Sequence, residues 1–244
     1  MKSTLQISAL VVFTLIATAS FAQSLNFSGG YTSTTIKGAG FGTESSSQSG
    51  SGGGSSYTGF TKNKNLSGFN VSIGYEFRLG ERLSLETGFK YQTRGTRMIS
   101  EYSYNDPFSS YSEKGNLKYR LNYLDLPIVL NTAILTGDFR LYARTGIYVG
   151  FLTSGKFSER LEYTSSYGEN GVSEYNEALD FSTGDAGDRF SGGIILGVGA
   201  EYKGFFVETN FIKGFFSFSS LDDKIYTRDL TFSLGYKLKF NKGK

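Results

Sequence analysis

Apolar and polar residues alternate along much of this chain, with the period of two that is typical of β-strands. Between Phe69 and Leu79 every odd position is apolar or aromatic, whereas the even positions carry small, polar or charged side chains. The same pattern resumes from Leu83 to Arg94, after the short segment Gly80-Glu81-Arg82. These two segments predict an antiparallel hairpin with a tight turn.

Six further segments complete a set of eight predicted strands. They are residues 25–31, 117–133, 139–151, 190–202, 205–211 and 230–240. In the fourth predicted strand the apolar positions change from odd to even, which predicts a β-bulge near Tyr123-Leu124. Pro127 has no amide hydrogen, so we expect one hydrogen bond of that strand to be missing.

The connections between the predicted strands alternate between short and long. The short ones are residues 80–82, 136–138 and 203–204, and the long ones are residues 36–65, 95–116, 153–188 and 213–228. Short periplasmic turns at one rim and long extracellular loops at the other are typical of outer-membrane barrels. We therefore predict an all-β fold, an eight-stranded antiparallel up-and-down transmembrane β-barrel whose four long connections are extracellular loops.

The polar face of the strands indicates which side of this barrel meets lipid. Its charged residues are Glu76, Arg78, Glu86, Lys90, Arg94, Asp125, Arg140, Arg144, Glu201, Glu208 and Lys237. Eight strands enclose a space that side chains just fill, so the larger apolar set would not fit inside. We therefore expect the apolar face to contact lipid, and the charged residues to form a structural polar network in the lumen.

Glu76 and Glu86 should lie directly opposite each other in the first predicted hairpin, both pointing inward. Two carboxylates in a confined interior repel each other unless cations intervene, and Arg140, Arg144 or Lys237 can supply that charge. A catalytic carboxylate pair is the alternative interpretation. We favour an ion-paired plug, since cationic residues share the inward face.

The first 22 residues have the organisation of a secretory signal peptide. Lys2 precedes an apolar run over residues 7–17, and Ser20-Phe21-Ala22 supplies the small residues of a cleavage site. The run is shorter than the roughly 20 residues that a transmembrane helix needs. We therefore predict export, cleavage after Ala22 and a mature barrel over residues 23–244 in the bacterial outer membrane.

The composition excludes many catalytic and metal sites. The sequence has no Cys and no His, so thiolate nucleophiles, disulfides, histidine bases and the usual zinc ligands are absent. A formal charge of +3, from 25 basic and 22 acidic residues, does not indicate a nucleic-acid surface. We expect a non-enzymatic protein with no cofactor and no nucleic-acid partner.

Three of the long connections have distinctive compositions. Residues 38–56 are rich in Gly and Ser, which predicts disorder. Residues 100–115 carry aromatic residues among serines, a composition suited to adhesive contacts, but we favour a loop that simply extends the strands above the membrane. The third connection collects the acids Glu169, Glu174, Glu177, Asp180, Asp185 and Asp188. Their spacing matches no ordered calcium loop, so we favour a solvated acidic loop over a calcium site.

Tyr236, Leu238 and Phe240 share one face of the last predicted strand. A terminal strand that ends in an aromatic residue resembles the signal by which barrel-assembly machinery recognises its substrates. We therefore expect that machinery as a partner during biogenesis, with outer-membrane lipid and other outer-membrane proteins as further contacts of the barrel wall.

Four segments together resemble a known family. They are Gly-Tyr-Glu-Phe-Arg-Leu at 74–79, Leu-Ser-Leu-Glu-Thr-Gly-Phe-Lys-Tyr at 83–91, Asn-Tyr-Leu-Asp-Leu-Pro-Ile-Val-Leu at 122–130, and Gly-Tyr-Lys-Leu-Lys-Phe at 235–240. This combination resembles the small outer-membrane β-barrel (PorT-like, porin-family barrel domain) proteins of the Bacteroidota, and residues 122–127 are its most specific part.

The resemblance implies an outer-membrane location and, for one branch, an accessory role in the type IX secretion system. We expect a structural or interaction role through the loops and the barrel wall. That accessory role and a narrow porin-like channel are the alternatives, although aqueous porins use about sixteen strands or more.

Overall fold

The computed structural model describes residues 24–37, 46–52, 55–168, 170–179, 189–214 and 226–240. They contain eleven strands in one sheet. The strands are β1 (Ser24–Lys37), β2 (Ser46–Gly52), β3 (Ser55–Lys64), β4 (Leu66–Arg78), β5 (Leu83–Asn105), β6 (Ser110–Leu135), β7 (Phe139–Ser165), β8 (Asn170–Ala178), β9 (Phe190–Tyr202), β10 (Phe205–Gly214) and β11 (Tyr226–Lys239). The predicted signal peptide at residues 1–22 lies outside the described residues.

Eight of the strands form a closed antiparallel ring, which confirms the predicted barrel. The ring order is β1, β4, β5, β6, β7, β9, β10 and β11, and β11 pairs with β1 to close it. The predicted short turns join β4 to β5, β6 to β7, and β9 to β10. Ser24 pairs with both Lys239 and Glu76, so the first and last ring strands reach the rim at which the short turns lie.

Three strands lie within the connections that the sequence predicted as loops. β2 and β3 form a hairpin, and β3 pairs with residues 97–105 of β5. β8 pairs with the end of β7. With residues 110–119 of β6 and 156–165 of β7, these strands make a six-stranded sheet, in the order β2-β3-β5-β6-β7-β8, that continues one side of the barrel. We call it the upper sheet.

Most of residues 46–64, 95–116 and 153–178 are therefore paired strands, and residues 100–105 and 110–115 extend β5 and β6 as expected. The prediction of disorder is wrong for 46–52 and 55–56. Thr and Tyr fit a pleated, half-buried surface, and each segment finds a neighbouring ladder for its backbone groups. Residues 38–45, 53–54, 169, 180–188 and 215–225 of the predicted loops lie outside the described part of the chain.

Side-chain burial separates the two faces of the ring strands as predicted. Exposed outward residues include Phe27, Val71, Ile73, Leu126, Ile147, Val149, Leu196, Val198, Phe232 and Leu234, whereas buried inward residues include Asn26, Thr32, Asn70, Glu76, Gln92, Arg94, Asn131, Glu208, Thr231 and Lys237. A continuous exposed apolar band of this kind matches the lipid-facing surface of a membrane barrel. Among the described residues, no helix is long and apolar enough to cross a membrane.

The predicted bulge in the fourth ring strand is placed differently in the structure. The pairing of β6 with β5 runs without a shift past Leu121, Tyr123 and Asp125, so these odd residues all face the lumen. The irregularity lies opposite Asn122/Tyr123 in β7, which contains the additional residue Thr153. The apolar pattern of β6 changes face because Leu121 and Tyr123 join a buried apolar cluster with Ile36, Leu152 and Leu179 at the upper end of the lumen.

Pro127 interrupts the ladder as predicted. Pairing of β5 with β6 stops at Thr87/Ile128 and resumes at Lys90/Asp125, on either side of the proline.

Candidate functional site

The lumen is crossed by ion pairs at three heights. Nearest the short turns, Glu76 of β4 accepts hydrogen bonds from Lys237 Nζ of β11 at 2.6 Å, Arg140 NH1 of β7 at 2.9 Å and Ser84 Oγ of β5 at 2.6 Å. Glu201 of β9 lies 3.3 Å from Lys237 and 3.9 Å from Arg140. In the ring, β5 and β6 lie between β4 and β7, and β1 lies between β4 and β11, so the contacts of Glu76 with Arg140 and Lys237 cross part of the lumen.

The middle layer is centred on Arg144 of β7. This guanidinium contacts Glu86 of β5 at 3.1 Å and also pairs with Glu208 of β10. Asn131 donates to Glu86 Oε2 at 3.2 Å, and the Tyr142 hydroxyl donates to Glu208 Oε1 at 2.9 Å. Glu76 and Glu86 are direct cross-strand partners, as the hairpin register predicted, and Arg140, Lys237 and Arg144 are the cations beside them.

The upper layer is built around Arg94 of β5, which is 1% exposed. Its guanidinium makes two hydrogen bonds to Asp125 of β6, at 3.1 and 2.7 Å, and its Nε donates to Asp229 of β11 at 2.9 Å. The rings of Tyr123 and Tyr148 lie 4.8 and 4.5 Å from the guanidinium carbon, close enough for cation–π contact. The guanidinium group of Arg is planar, so it can donate paired hydrogen bonds to carboxylates at its edges while aromatic rings stack on its faces.

This layer gives a physical reason for the Asn-Tyr-Leu-Asp-Leu-Pro segment that carried the family resemblance. Tyr123 and Asp125 point inward onto Arg94, whereas Leu124 and Leu126 are exposed on the outer face. The segment therefore holds a buried arginine from one face of the strand and presents leucines from the other.

Two of the predicted network residues, Arg78 and Lys90, take part in none of the ion pairs of these three layers. Arg78 is the last residue of β4 and is exposed beside the turn, so it does not share the interior position of Glu76. Lys90 is the direct partner of Asp125 in the β5–β6 ladder and lines a small lumen cavity together with Glu86, Arg144, Glu208 and Asn210. The cavity volume is about 40 Å³, room for one or two water molecules.

Asp229 belongs to the upper layer of the lumen network, where the sequence did not predict it. It falls between the predicted connection 213–228 and the predicted strand 230–240, although its odd number places it in phase with Thr231, Ser233 and Lys237 of β11. It is 1% exposed and accepts hydrogen bonds from Arg94 and from Thr34 Oγ1. Extending the alternation one step further back along β11 would have identified it.

The upper sheet has two chemically different faces, since directly paired residues of an antiparallel ladder share a face. One face continues the lumen side of the barrel, and its aromatic residues are Tyr57, Tyr102, Tyr104, Tyr111, Tyr119, Phe157, Tyr163 and Tyr175. We call it the aromatic face. Its charged residues within the described strands are the acids Glu113, Glu159 and Glu177, and none of its described residues is basic.

The opposite face continues the lipid-facing side, and we call it the basic face. Its basic residues are Lys62, Lys64, Arg97, Lys114, Lys118, Lys156 and Arg160, and its acids are Glu101, Glu162 and Glu174. Arg160 is paired on the surface with Glu162 at 2.9 Å and with Glu174 at 2.8 Å. The remaining basic residues therefore dominate the charge of this face.

The structure describes two of the acids that the sequence collects in the third connection. Glu174 pairs with Arg160, and Glu177 accepts a hydrogen bond from the Tyr175 hydroxyl at 2.8 Å. Glu169, Asp180, Asp185 and Asp188 lie outside the described residues. Within the described part of the chain, no group of three or more side chains is arranged to bind a metal ion.

A sequence model described as the outer membrane protein β-barrel domain matches residues 21–220. The chain belongs to this family of outer-membrane β-barrels. No curated protein matches the sequence at a significant level.

Several solved structures are similar to this family member at low identity. Ail, the attachment invasion locus protein of Yersinia pestis, is 15% identical, with a TM-score of 0.36, and the match covers 89% of this chain and 99% of Ail. The Neisserial surface protein A is 11% identical, with a TM-score of 0.37 and coverage of 88% and 97%. OprG from Pseudomonas aeruginosa is 11% identical, with a TM-score of 0.37 and coverage of 90% and 97%.

As a member of the outer-membrane β-barrel family, the protein is placed in the bacterial outer membrane. The exposed apolar band of the ring strands is then the surface that contacts lipid, and the upper sheet extends from the long-connection rim.

Proposed function

We propose that the protein is a non-enzymatic outer-membrane barrel that binds a partner outside the cell through its upper sheet. The observation that carries this proposal is the upper sheet itself, in which three strands are added to the eight of the ring and the aromatic and basic residues are separated onto opposite faces. A barrel that only spanned the membrane would not need this sheet.

The ion pairs across the lumen favour a binding role over ion conduction. Arg94, Arg140 and Arg144 each connect strands that are not neighbours in the ring, and each is buried or half-buried. Planar-bilayer recordings of the purified barrel should show no conductance of nanosiemens size. Steady conductance of that size would favour the narrow porin-like channel instead.

The proposed orientation follows from the general rule that short turns face the periplasm. The upper sheet is then extracellular, and the strand ends near Ser24 and Lys239 are periplasmic. Export through a signal peptide cleaved after Ala22 is part of this proposal, and mass spectrometry of the mature N-terminus tests it.

A shortened variant tests the binding role. Replacing residues 98–117 by an Asn-Gly turn removes the upper β5–β6 hairpin but retains the ring pairs on either side of it. Cells that display the full chain should adhere to protein-coated surfaces or to each other, whereas cells that display the shortened barrel should not. Heat-modifiable migration in gels provides the control for barrel folding. Equal adhesion by two correctly inserted barrels would contradict the proposal.

A second candidate is an accessory subunit of a secretion machine, as in the PorT-like branch of Bacteroidota barrels. The outer wall near the short-turn rim contains an apolar depression of about 350 Å³, lined by Phe139, Tyr202, Phe205, Val207 and Leu234 beside the small residues Ala200 and Gly235. Such a depression suits an apolar group from a neighbouring membrane protein. Stoichiometric recovery of a large translocon after extraction in mild detergent would favour this candidate over a free-standing barrel.

A further inference from the structure

The aromatic face of the upper sheet contains a pocket between two tyrosines. Tyr57 and Tyr102 are 44% and 45% exposed, and they line a depression of about 360 Å³ together with Gly59, Ser100 and Glu113. A Cβ on Gly59 would lie 3.3 Å from the Tyr102 ring, so the glycine allows the ring to pack closely over β3. The pocket is therefore formed by the paired strands of the upper sheet.

The charge of this pocket has one sign. Its charged lining residues are Glu113, which lies on the aromatic face, and Glu101, which belongs to the basic face as the direct partner of Lys114. None of the lining residues is basic. The Tyr111 hydroxyl donates to Glu113 Oε2 at 2.6 Å, which fixes the carboxylate beside the tyrosines. Among the described residues, no ion pair joins Glu113 to a basic side chain. Its negative charge is thus held on the face that lacks basic residues.

Exposed tyrosine rings and an oriented carboxylate together form a site for an organic cation. The negative face of an aromatic ring attracts ammonium and guanidinium groups within about 6 Å of its centre. A carboxylate adds a charge-assisted hydrogen bond to the same cation. Anions are disfavoured at this site by Glu113.

The size of the face selects a polypeptide as the source of the cation. Six strands at about 4.8 Å spacing span roughly 24 Å across the sheet, far more than one small amine covers. Tyr163, Tyr175 and Glu177 continue the same chemistry on β7 and β8. A chain that carries several cations can contact both ends of the face at once.

We propose that the aromatic face binds an extended polypeptide rich in lysine or arginine, with one cationic side chain seated between Tyr57, Tyr102 and Glu113. This inference rests on the proposed binding role of the upper sheet, and it specifies the chemical class of the partner. The basic face opposite repels such a segment, so binding occurs from one side of the sheet.

The test uses the full chain in non-ionic detergent and a fluorescently labelled ten-residue oligolysine, with binding followed by anisotropy. Glu113→Gln should weaken binding about 3- to 10-fold, and Tyr57→Leu with Tyr102→Leu about 10-fold. Glu162→Gln is the matched control, because Glu162 lies on the basic face, and its affinity should stay within about twofold of the parent value. Oligoglutamate should not bind.

Three outcomes would overturn the inference: equal affinities for Glu113→Gln and Glu162→Gln, binding of oligoglutamate as tight as that of oligolysine, or displacement of oligolysine by millimolar choline. The last outcome would assign the pocket to a small quaternary amine. The shortened variant separates the two proposals. If it loses oligolysine binding while Glu113→Gln does not, the pocket assignment fails and the binding role of the sheet survives. If the shortened variant binds oligolysine as well as the parent does, the inference about the aromatic face fails, whereas the binding role of the sheet is decided by the adhesion test.

Discussion

Arg94 is the residue on which the upper end of the lumen depends. It contacts two carboxylates and two tyrosine rings, and its side chain is almost completely buried. A buried ion pair adds little net stability compared with apolar packing, but removal of one partner leaves an uncompensated buried charge. Asp125 and Asp229 would become those charges if Arg94 were lost.

Arg94→Met should therefore lower the free energy of unfolding by about 3–5 kcal/mol. Urea titration in detergent, followed by circular dichroism, measures the change. Arg160→Met is the control, because Arg160 makes two ion pairs that are about half exposed, and its cost should be at most about 1 kcal/mol. Replacing Asp125 and Asp229 by Asn in the Arg94→Met chain should recover part of the loss. An Arg94→Met barrel as stable as Arg160→Met would show that the ion pairs of Arg94 with Asp125 and Asp229 contribute nothing to stability.

The β4–β5 hairpin depends on close backbone approach inside the barrel. A Cβ on Gly88 would contact the Ile73 carbonyl oxygen and the Gly74 Cα, which are backbone atoms that cannot move aside without disturbing the ladder. Gly74 and Gly88 are direct partners in that ladder, between the Glu76/Glu86 pair and the level of Lys90. Gly74 and Gly88 also line the lumen cavity, and their lack of side chains leaves room for it.

Gly88→Ala is expected to destabilise the barrel by about 1–3 kcal/mol, because the added methyl group overpacks a backbone contact. The same urea titration measures it. Gly80→Ala in the adjoining turn provides the comparison, since nothing lies within 4 Å of a Cβ at Gly80, and its stability should change by less than about 0.5 kcal/mol. A Gly88→Ala barrel with parental stability would mean that the two strands separate more easily than the ladder indicates.

The tip of the β5–β6 hairpin, outside the lipid-facing band, is held by Asp106. Its carboxylate accepts hydrogen bonds from the backbone amides of Phe108 and Ser109 at 2.7 Å, and from the Ser109 hydroxyl at 2.7 Å. The hydrogen bond from the Ser109 hydroxyl, followed by that from the Phe108 amide, lowers the pKa of Asp106 below its ordinary value. The folded turn therefore prefers the ionised carboxylate.

The sign of the pH dependence follows from this lowered pKa. The contribution of Asp106 to the turn is complete above the ordinary aspartate pKa of about 3.9 and is lost as the pH falls through the lowered value. Amide chemical shifts of Phe108 and Ser109 should report one titration step below about pH 3.9. Asp106→Asn removes the titrating group and should abolish the step. A step at or above pH 3.9 in the parent protein would contradict the lowered pKa.

At the scale of the whole molecule, membrane insertion and partner binding are assigned to different parts of the chain. The closed ring presents the apolar band, and the upper sheet presents polar, aromatic and charged surfaces. Tyr236, Leu238 and Phe240 are exposed on the outer face at the end of the chain's last described segment. Their proposed role as an assembly signal concerns insertion and not binding.

Phe240→Asp should reduce the amount of folded barrel in the outer membrane several-fold, because it places a charge in the terminal aromatic signal. Phe108→Asp makes the same change at the 89% exposed tip of the upper sheet and should leave insertion unchanged. Heat-modifiable migration of outer-membrane fractions measures both. Equal insertion of the two variants would remove the assembly role from Phe240.

The sequence by itself determined the strand period, the eight strands of the ring, the short turns and the outward direction of the apolar face. The period, the strands and the turns follow from local geometry, because alternate residues of a strand point to opposite sides and a tight turn pairs the segments beside it. The outward direction of the apolar face follows from the small interior of an eight-stranded barrel. The opposition of Glu76 and Glu86 was predictable for the same reason, as it depends only on counting back from one turn.

The tertiary structure alone decided which residues meet across the lumen and which long connections become strands. Asp229 reaches Arg94 only because the ring closes between β11 and β1, and Leu121 faces inward only because Ile36 and Leu152 form an apolar cap there. β3 exists as a strand because residues 97–105 of β5 offer it a ladder some 40 residues away. Such partners are distant in the chain, so local periodicity carries no information about them, and the two faces of the upper sheet became visible only once the register was known.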